Sequence, residues 1–156
     1  MGRDFERGQR MNAREYLMQS IRIRESLHYI DERIEKLQTD LEYHPKELDD
    51  TGASHLNYRE DKFAEKMAEI ADLKTEYEQK RIDLEKKNAE IREFIERLDN
   101  PTYRSVLSYR YIHENKRFPT RLNSWVTVAF KVGLANEDTA RISHNRALKI
   151  LNKMLL

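Results

Sequence analysis

Apolar positions recur at intervals of three and four along most of this chain, and that rhythm predicts helices from end to end. Leu27, Ile30, Ile34, Leu37 and Leu41 are spaced 3, 4, 3 and 4 apart, an a/d heptad seam. Tyr16 and Ile23 carry the seam backwards, with Ser20 as a polar interruption. A helix is expected from about Asn12 to Tyr43, stopped at His44-Pro45 because the residue before proline is pushed out of the α region. Residues 1–11, polar and holding two Gly, are expected to be disordered. Pro45 to Asn57 contains Asp49-Asp50-Thr51-Gly52 and little apolar material, which predicts an exposed loop.

A second helix follows from about Tyr58 to Leu98, on the order of 60 Å long. Its seam reads Phe63, Met67, Ile70, Lys74, Tyr77, Arg81, Leu84, Asn88, Ile91, Ile95 and Leu98. Lys74, Arg81 and Asn88 are polar at three successive a positions. Such residues either fix register and partner number or mark a stretch that faces solvent. Two heptad helices joined by a loop form an antiparallel hairpin, which closes on itself or pairs with a second copy as a homodimer.

The periodicity breaks at Asp99-Asn100-Pro101, and Pro101 suits the first turn of a new helix. That helix is expected over Thr102 to Glu114, burying Tyr103, Val106, Leu107, Tyr111 and Ile112. A polar connector, Asn115 to Asn123, leads to a short apolar helix from Ser124 to Val132 with Trp125, Val128, Ala129 and Val132 inward. Gly133-Leu134-Ala135 is the turn, and Asn136 the N-cap of a last helix with Glu137 and Asp138 at its positive start. Ala140, Ile142, Ala147, Leu148, Leu151 and Leu155 are its apolar positions. The fold class is therefore all-α. A helical hairpin over residues 12–99 precedes a three-helix module over residues 100–156 that contains a helix-turn-helix.

Composition sharpens this picture. The chain is 38% apolar and 37% charged, with four Gly, three Pro and no Cys. That mix suits long helices with a thin core. It also removes disulfides and Cys-based metal sites. The opening MGRDFERGQR lacks the apolar run of a secretory signal, and no window is apolar enough to span a membrane. A cytoplasmic protein without membrane contact is expected. Charge is unevenly placed. Residues 101–156 hold ten Lys/Arg against three Asp/Glu, whereas residues 1–100 hold nineteen against twenty-five. A basic end on a mildly acidic stem points to a nucleic-acid surface carried by a scaffold.

In a helix-turn-helix the second helix enters the DNA major groove, and the outward residues of its first turns reach base edges. Here those candidates are Glu137, Thr139, Arg141, Ser143, His144 and Asn145. Arg pairs with guanine, Asn with adenine, and Glu accepts from cytosine. Arg146, Lys149 and Lys153 lie further along, toward phosphates. Arg104, Arg110, Lys116, Arg117 and Arg121 are candidates to grip the flanking backbone, which sets affinity and register but not sequence. His144 is read equally as a phosphate contact or a packing residue. Tyr103, Tyr109 and Tyr111 either stack on bases or join the core, and Trp125 is a core anchor. The five His residues show no metal-ligand spacing, and no phosphate loop, HExxH or GxSxG is present, so neither a metal, a cofactor nor catalysis is expected. The remaining carboxylates alternate with Lys and Arg at i, i+3 and i+4, the pattern of a solvated helix face.

The segment RLDNPTYRSVLSYRYIHE, then SWVTVAFKVGL, then RISHNRALKIL, resembles the C-terminal part of ArpU-like phage and prophage transcription regulators. The module of that family is similar to region four of bacterial sigma factors. The matching positions are Pro101, Tyr103, Arg104, Val106, Leu107, Arg110, Tyr111, Ile112, Trp125, His144, Ala147, Leu148 and Leu151. The resemblance implies a regulator of promoter DNA, an activator of late genes, with RNA polymerase as a second partner. Two features depart from the family pattern. Eleven residues, Asn115 to Trp125, follow the RYIHE segment when counted through the Trp, where a few are usual. The first motif helix reads WVTVAFKV, more apolar than the usual acidic version. Two other functions fit the same features: an interaction protein whose coiled coil does the work, and a phage DNA-packaging recognition subunit.

Overall fold

The computed structural model describes residues 11–43 and 53–155. Among the described residues five α-helices run α1 (Ala13–Tyr43), α2 (Ala53–Glu96), α3 (Pro101–Leu107), α4 (Trp125–Val132) and α5 (Glu137–Met154), with a π-helical segment at Ser108–Ile112 between α3 and α4. No strand occurs among the described residues. None of the described helices is long and apolar enough to cross a membrane. The expected disorder of residues 1–11 lies, apart from Met11, outside the described residues, as does most of the expected loop from Pro45. The end of that loop is helical instead: α2 begins at Ala53, five residues before Tyr58. No Gly or Pro occurs from Ala53 to Asn100, so nothing in that stretch breaks the helix.

The described chain divides into two compact units, and the division crosses both long helices. One unit joins residues up to Arg24 with Leu84 onward; the other is Glu25 to Asp83. The expected boundary at 99/100 thus does not coincide with the division, because the base of the hairpin packs with the C-terminal helices.

In the 25–83 unit, α1 and α2 run antiparallel around Ile30, Ile34, Leu37 and Ile70, with Leu41, Leu73 and Tyr77 at the margin. Arg33 and Glu69 pair across it at 3.0 Å, both partly exposed. Lys74 and Arg81 face solvent. Phe63 and Met67, though on the seam, stay 54% and 46% exposed.

The other unit starts with a reciprocal cap on α1. Asn12 Oδ1 accepts from Glu15 N at 2.9 Å, and Glu15 Oε2 accepts from Asn12 N at 3.4 Å. Asn152 of α5 also accepts from Ala13 N at 2.7 Å, tying the first helix to the last. Ala13, Leu17, Ile91, Phe94, Ile95, Leu98, Leu107, Tyr111, Ile112, Ala147 and Leu151 form its main core. A second cluster of Val106, Val128, Ala129 and Ala140 joins α3, α4 and α5. Along α1 the buried positions here are Ala13, Leu17, Ser20, Ile21 and Arg24. Tyr16 and Ile23, expected on the seam, are only half-buried. The apolar pattern hid this shift because two of the true seam positions are polar. Ser20 Oγ donates to Asn88 Oδ1 of α2, so two polar interruptions satisfy each other.

Asn100 caps α3, accepting from the Thr102 and Tyr103 amides, with Pro101 in the first turn. The expected helix to Glu114 is instead α-helical only to Leu107. His113 N then bonds to Ser108 O at 2.9 Å, five residues back, which leaves the Tyr109 carbonyl without its helical donor. Asn123 Nδ2 fills that place at 2.7 Å and bonds His113 O at 2.9 Å.

Candidate nucleic-acid interface

The α4–turn–α5 pair is built from local signals. Ser124 Oγ caps α4 by accepting from Thr127 N at 3.2 Å. Gly133, at φ 82°, ends α4 in the left-handed conformation that glycine adopts at no steric cost. Asn136 Oδ1 then caps α5 through Thr139 N and Thr139 Oγ1, both at 2.9 Å. Four residues therefore reverse the chain between the two helices, and Val128, Ala129 and Ala140 seal the angle between them.

Inward, α5 presents Ala140, Ser143, His144, Ala147 and Leu151; outward, it exposes Arg141, Ile142, Asn145, Arg146, Lys149 and Lys153. Two expected apolar positions, Ile142 and Leu155, are in fact exposed, since a 3.6-residue period from Ala140 selects 143–144, 147 and 151 instead. Among the candidates, Asn145, Arg146 and Lys149 share the outward face. Thr139 is half-buried and engaged in the cap. Arg141 is held at 3.1 Å by Asp138 and 3.7 Å by Glu137 on its own helix.

Ser143 and His144, candidates for the groove, are buried. His144 Nδ1 donates to Asn145 Oδ1 at 3.1 Å, which leaves Nε2 to accept from the Tyr111 hydroxyl at 2.6 Å. Its ring meets the Trp125 edge with centroids 4.7 Å apart. Burial pushes its pKa down to about 4, with Arg110 and Arg14 adding to the shift and the Asn145 hydrogen bond opposing it. The ring is neutral near pH 7 and adds no charge to the surface. Burial raises the Tyr111 pKa, so its phenol remains a donor.

Arg104 and Arg110, candidates for the DNA backbone, lie on protein carbonyls instead. Arg104 Nη1 donates to Leu98 O at 2.6 Å and Asp99 O at 3.2 Å, closing the end of α2. Arg110 donates to Asn123 O, and its guanidinium lies 4.1 Å from the Trp125 ring centroid. Lys116, Arg117 and Arg121 are exposed on the connector before α4. Tyr111 belongs to the core, and Tyr103 and Tyr109, both partly buried, pack against it.

Two supporting residues escaped the sequence reading. Asn123 holds the freed carbonyls of the π segment, a role that no linear pattern announces. Arg24 donates to Tyr111 O at 2.7 Å from inside the core. Desolvation lowers its pKa, partly offset by the Glu114 carboxylate. Its position three before Leu27 and seven after Leu17 was the available signal. Among the described residues no group of three His, Cys, Asp or Glu gathers as a metal site.

Residues 57–124 match a family model described as "Protein of unknown function (DUF1492)", a family found in phage proteins. The match takes in most of α2, then α3, the π segment and the connector, and stops at the cap of α4. No curated protein and no solved structure matches the chain.

Proposed function

We propose that this protein is a phage-type transcription regulator that binds double-stranded promoter DNA with α5 in the major groove, acting as a late-gene activator. The observation that carries the reading is the division of α5 into two faces. Behind a glycine turn, its inward side is fixed by Ala140, His144, Ala147 and Leu151, while Asn145, Arg146 and Lys149 stand outward. A rigidly held helix with an outward amide and two cations is what groove entry needs. The DNA-contact set is then Asn145, Arg146 and Lys149, with Arg141 released from Asp138 and Glu137 on binding. Lys116, Arg117 and Arg121 add electrostatic affinity beside that set.

RNA polymerase is the protein partner implied by the sigma-like resemblance. Phe130, 80% exposed, and Val126 one turn before it on α4 offer an apolar face for it. The exposed seam residues Phe63 and Met67 favour a homodimer through the hairpin. A second reading, a protein-docking module without DNA, draws on one observation: the start of α5 is acidic and already neutralises Arg141.

Fluorescence-anisotropy titration of the full chain with labelled duplex, from low to physiological salt, separates the two. Affinity should fall steeply with salt. An Arg146→Ala, Lys149→Ala double variant should weaken binding and reduce the log–log salt slope by about 2. If wild type binds no duplex even at low salt, the docking reading replaces the regulator.

A further inference from the structure

The connector before α4 is a shaped loop rather than a slack one. Asn115 Oδ1 accepts from Arg117 N at 3.1 Å and Phe118 N at 3.0 Å, and Asn115 Nδ2 donates to Leu122 O at 3.3 Å. Arg121 N closes a turn on Phe118 O at 2.9 Å. At its end, Asn123 is clamped to the π segment. The tip therefore has a defined form, and it carries an unusual group. Phe118 is 42% exposed, with the Arg117 guanidinium 5.3 Å and the Arg121 guanidinium 4.6 Å from its ring centroid. Lys116 adds a third cation, and no Asp or Glu occurs between Glu114 and Glu137.

Two arginines against one exposed ring bring like charges close, which costs energy unless an anionic partner receives them. The loop also leads straight into the N-terminus of α4. In a helix-turn-helix the first helix crosses the DNA backbone, so a loop entering it arrives at the phosphate ridge that borders the minor groove. Proteins that bind there combine arginines in the groove with an apolar wedge, often Phe or Pro, that partly unstacks a base step. Arg117, Phe118, Pro119 and Arg121 are that combination of chemistries on one tip.

We propose that the Lys116–Arg121 loop is a second DNA-binding element, which enters the minor groove beside the site read by α5, with Arg117 and Arg121 in the groove and Phe118 as a wedge that bends the duplex. This rests on the DNA-binding reading above and extends it from one groove to two. The charges of the arginines supply affinity, and the narrow groove of A·T-rich flanks attracts them most. Phe118 supplies the bend.

The test is energy transfer between dyes at the two ends of a duplex of about 30 base pairs. The duplex is the tightest binder selected by the full chain from random sequence, offered with A·T-rich or G·C-rich flanks. Wild type should draw the ends together and prefer the A·T-rich version. Phe118→Ala should abolish the bend while affinity stays within about tenfold, because the cost of unstacking disappears along with the contacts it permits. Arg117→Ala with Arg121→Ala should remove the flank preference. A duplex bound unbent by wild type, or bent equally by Phe118→Ala, overturns the loop proposal and leaves α5 as the only reader. If no duplex binds at all, both proposals fall together.

Discussion

The two compact units differ most in what they bury. The 25–83 unit is held by Ile30, Ile34, Leu37 and Ile70, and none of its described polar residues is fully buried. The unit that contains α3, α4 and α5 buries Ser20, Arg24, Asn123, Ser143 and His144, all of the buried polar side chains among the described residues. An aliphatic seam needs only approximate fit, since apolar side chains of similar volume repack at small cost. A buried polar group demands one arrangement, since each unmet hydrogen bond costs on the order of 1–3 kcal/mol. The polar set is thus concentrated where angles matter: at the π segment, at the base of α4, and behind the outward face of α5. The hairpin is specified by pattern, and the candidate interface by hydrogen bonds.

The largest test of that contrast is Asn123→Ala. It strips the donors from Tyr109 O and His113 O and leaves both carbonyls short of a partner. We expect a loss of roughly 2–4 kcal/mol in urea denaturation with an unchanged m-value. A loss below about 0.5 kcal/mol, the range of ordinary surface changes, would mean that water replaces the amide and that the π segment does not depend on it.

The same contrast explains what could be read from the chain in advance. The two long helices, Pro101 at the start of α3, the Gly133 turn and the Asn136 cap were legible, because each rests on a local rule of period or capping. Groove candidates chosen by position along α5 were less so. Ser143 and His144 look outward in a helical count that starts from Ile142, but Ala140 sets the phase once α4 packs on it. Arg104 and Arg110 look like surface cations until the carbonyls they bind are placed: Leu98 O is free because α2 ends there, and Asn123 O because it lies in the connector before α4. Charge type is local; its partner is not.

His144 gives the next largest effect, and it appears with pH. The folded ring has a pKa of about 4 against an ordinary 6.5, so between those values the unfolded chain binds more protons than the folded one. Stability from this group is complete above about pH 6.5 and is lost progressively as pH falls toward 4. The change between pH 7.5 and pH 5 should be on the order of 2 kcal/mol. A His144→Gln variant, which keeps polarity without a titrating ring, should be less stable at pH 7.5 yet show a shallower fall. Equal falls in both proteins would show that the buried imidazole is not the source.

The smallest effect belongs to the hairpin and completes the comparison. Arg33 and Glu69 meet at 3.0 Å, a better-formed pair than Arg141 makes with Glu137, yet both side chains are more than 40% exposed. Water already solvates each charge, salt screens the pair, and two long side chains lose freedom in holding one geometry. A double-mutant cycle of Arg33→Ala and Glu69→Ala should give a coupling of about 0.2–1 kcal/mol that shrinks further in high salt. A coupling of about 2 kcal/mol or more would place a polar determinant in the hairpin after all. The 25–83 unit would then be fixed in register by the same kind of interaction as the interface, and the division between a patterned scaffold and a hydrogen-bonded reader would fail.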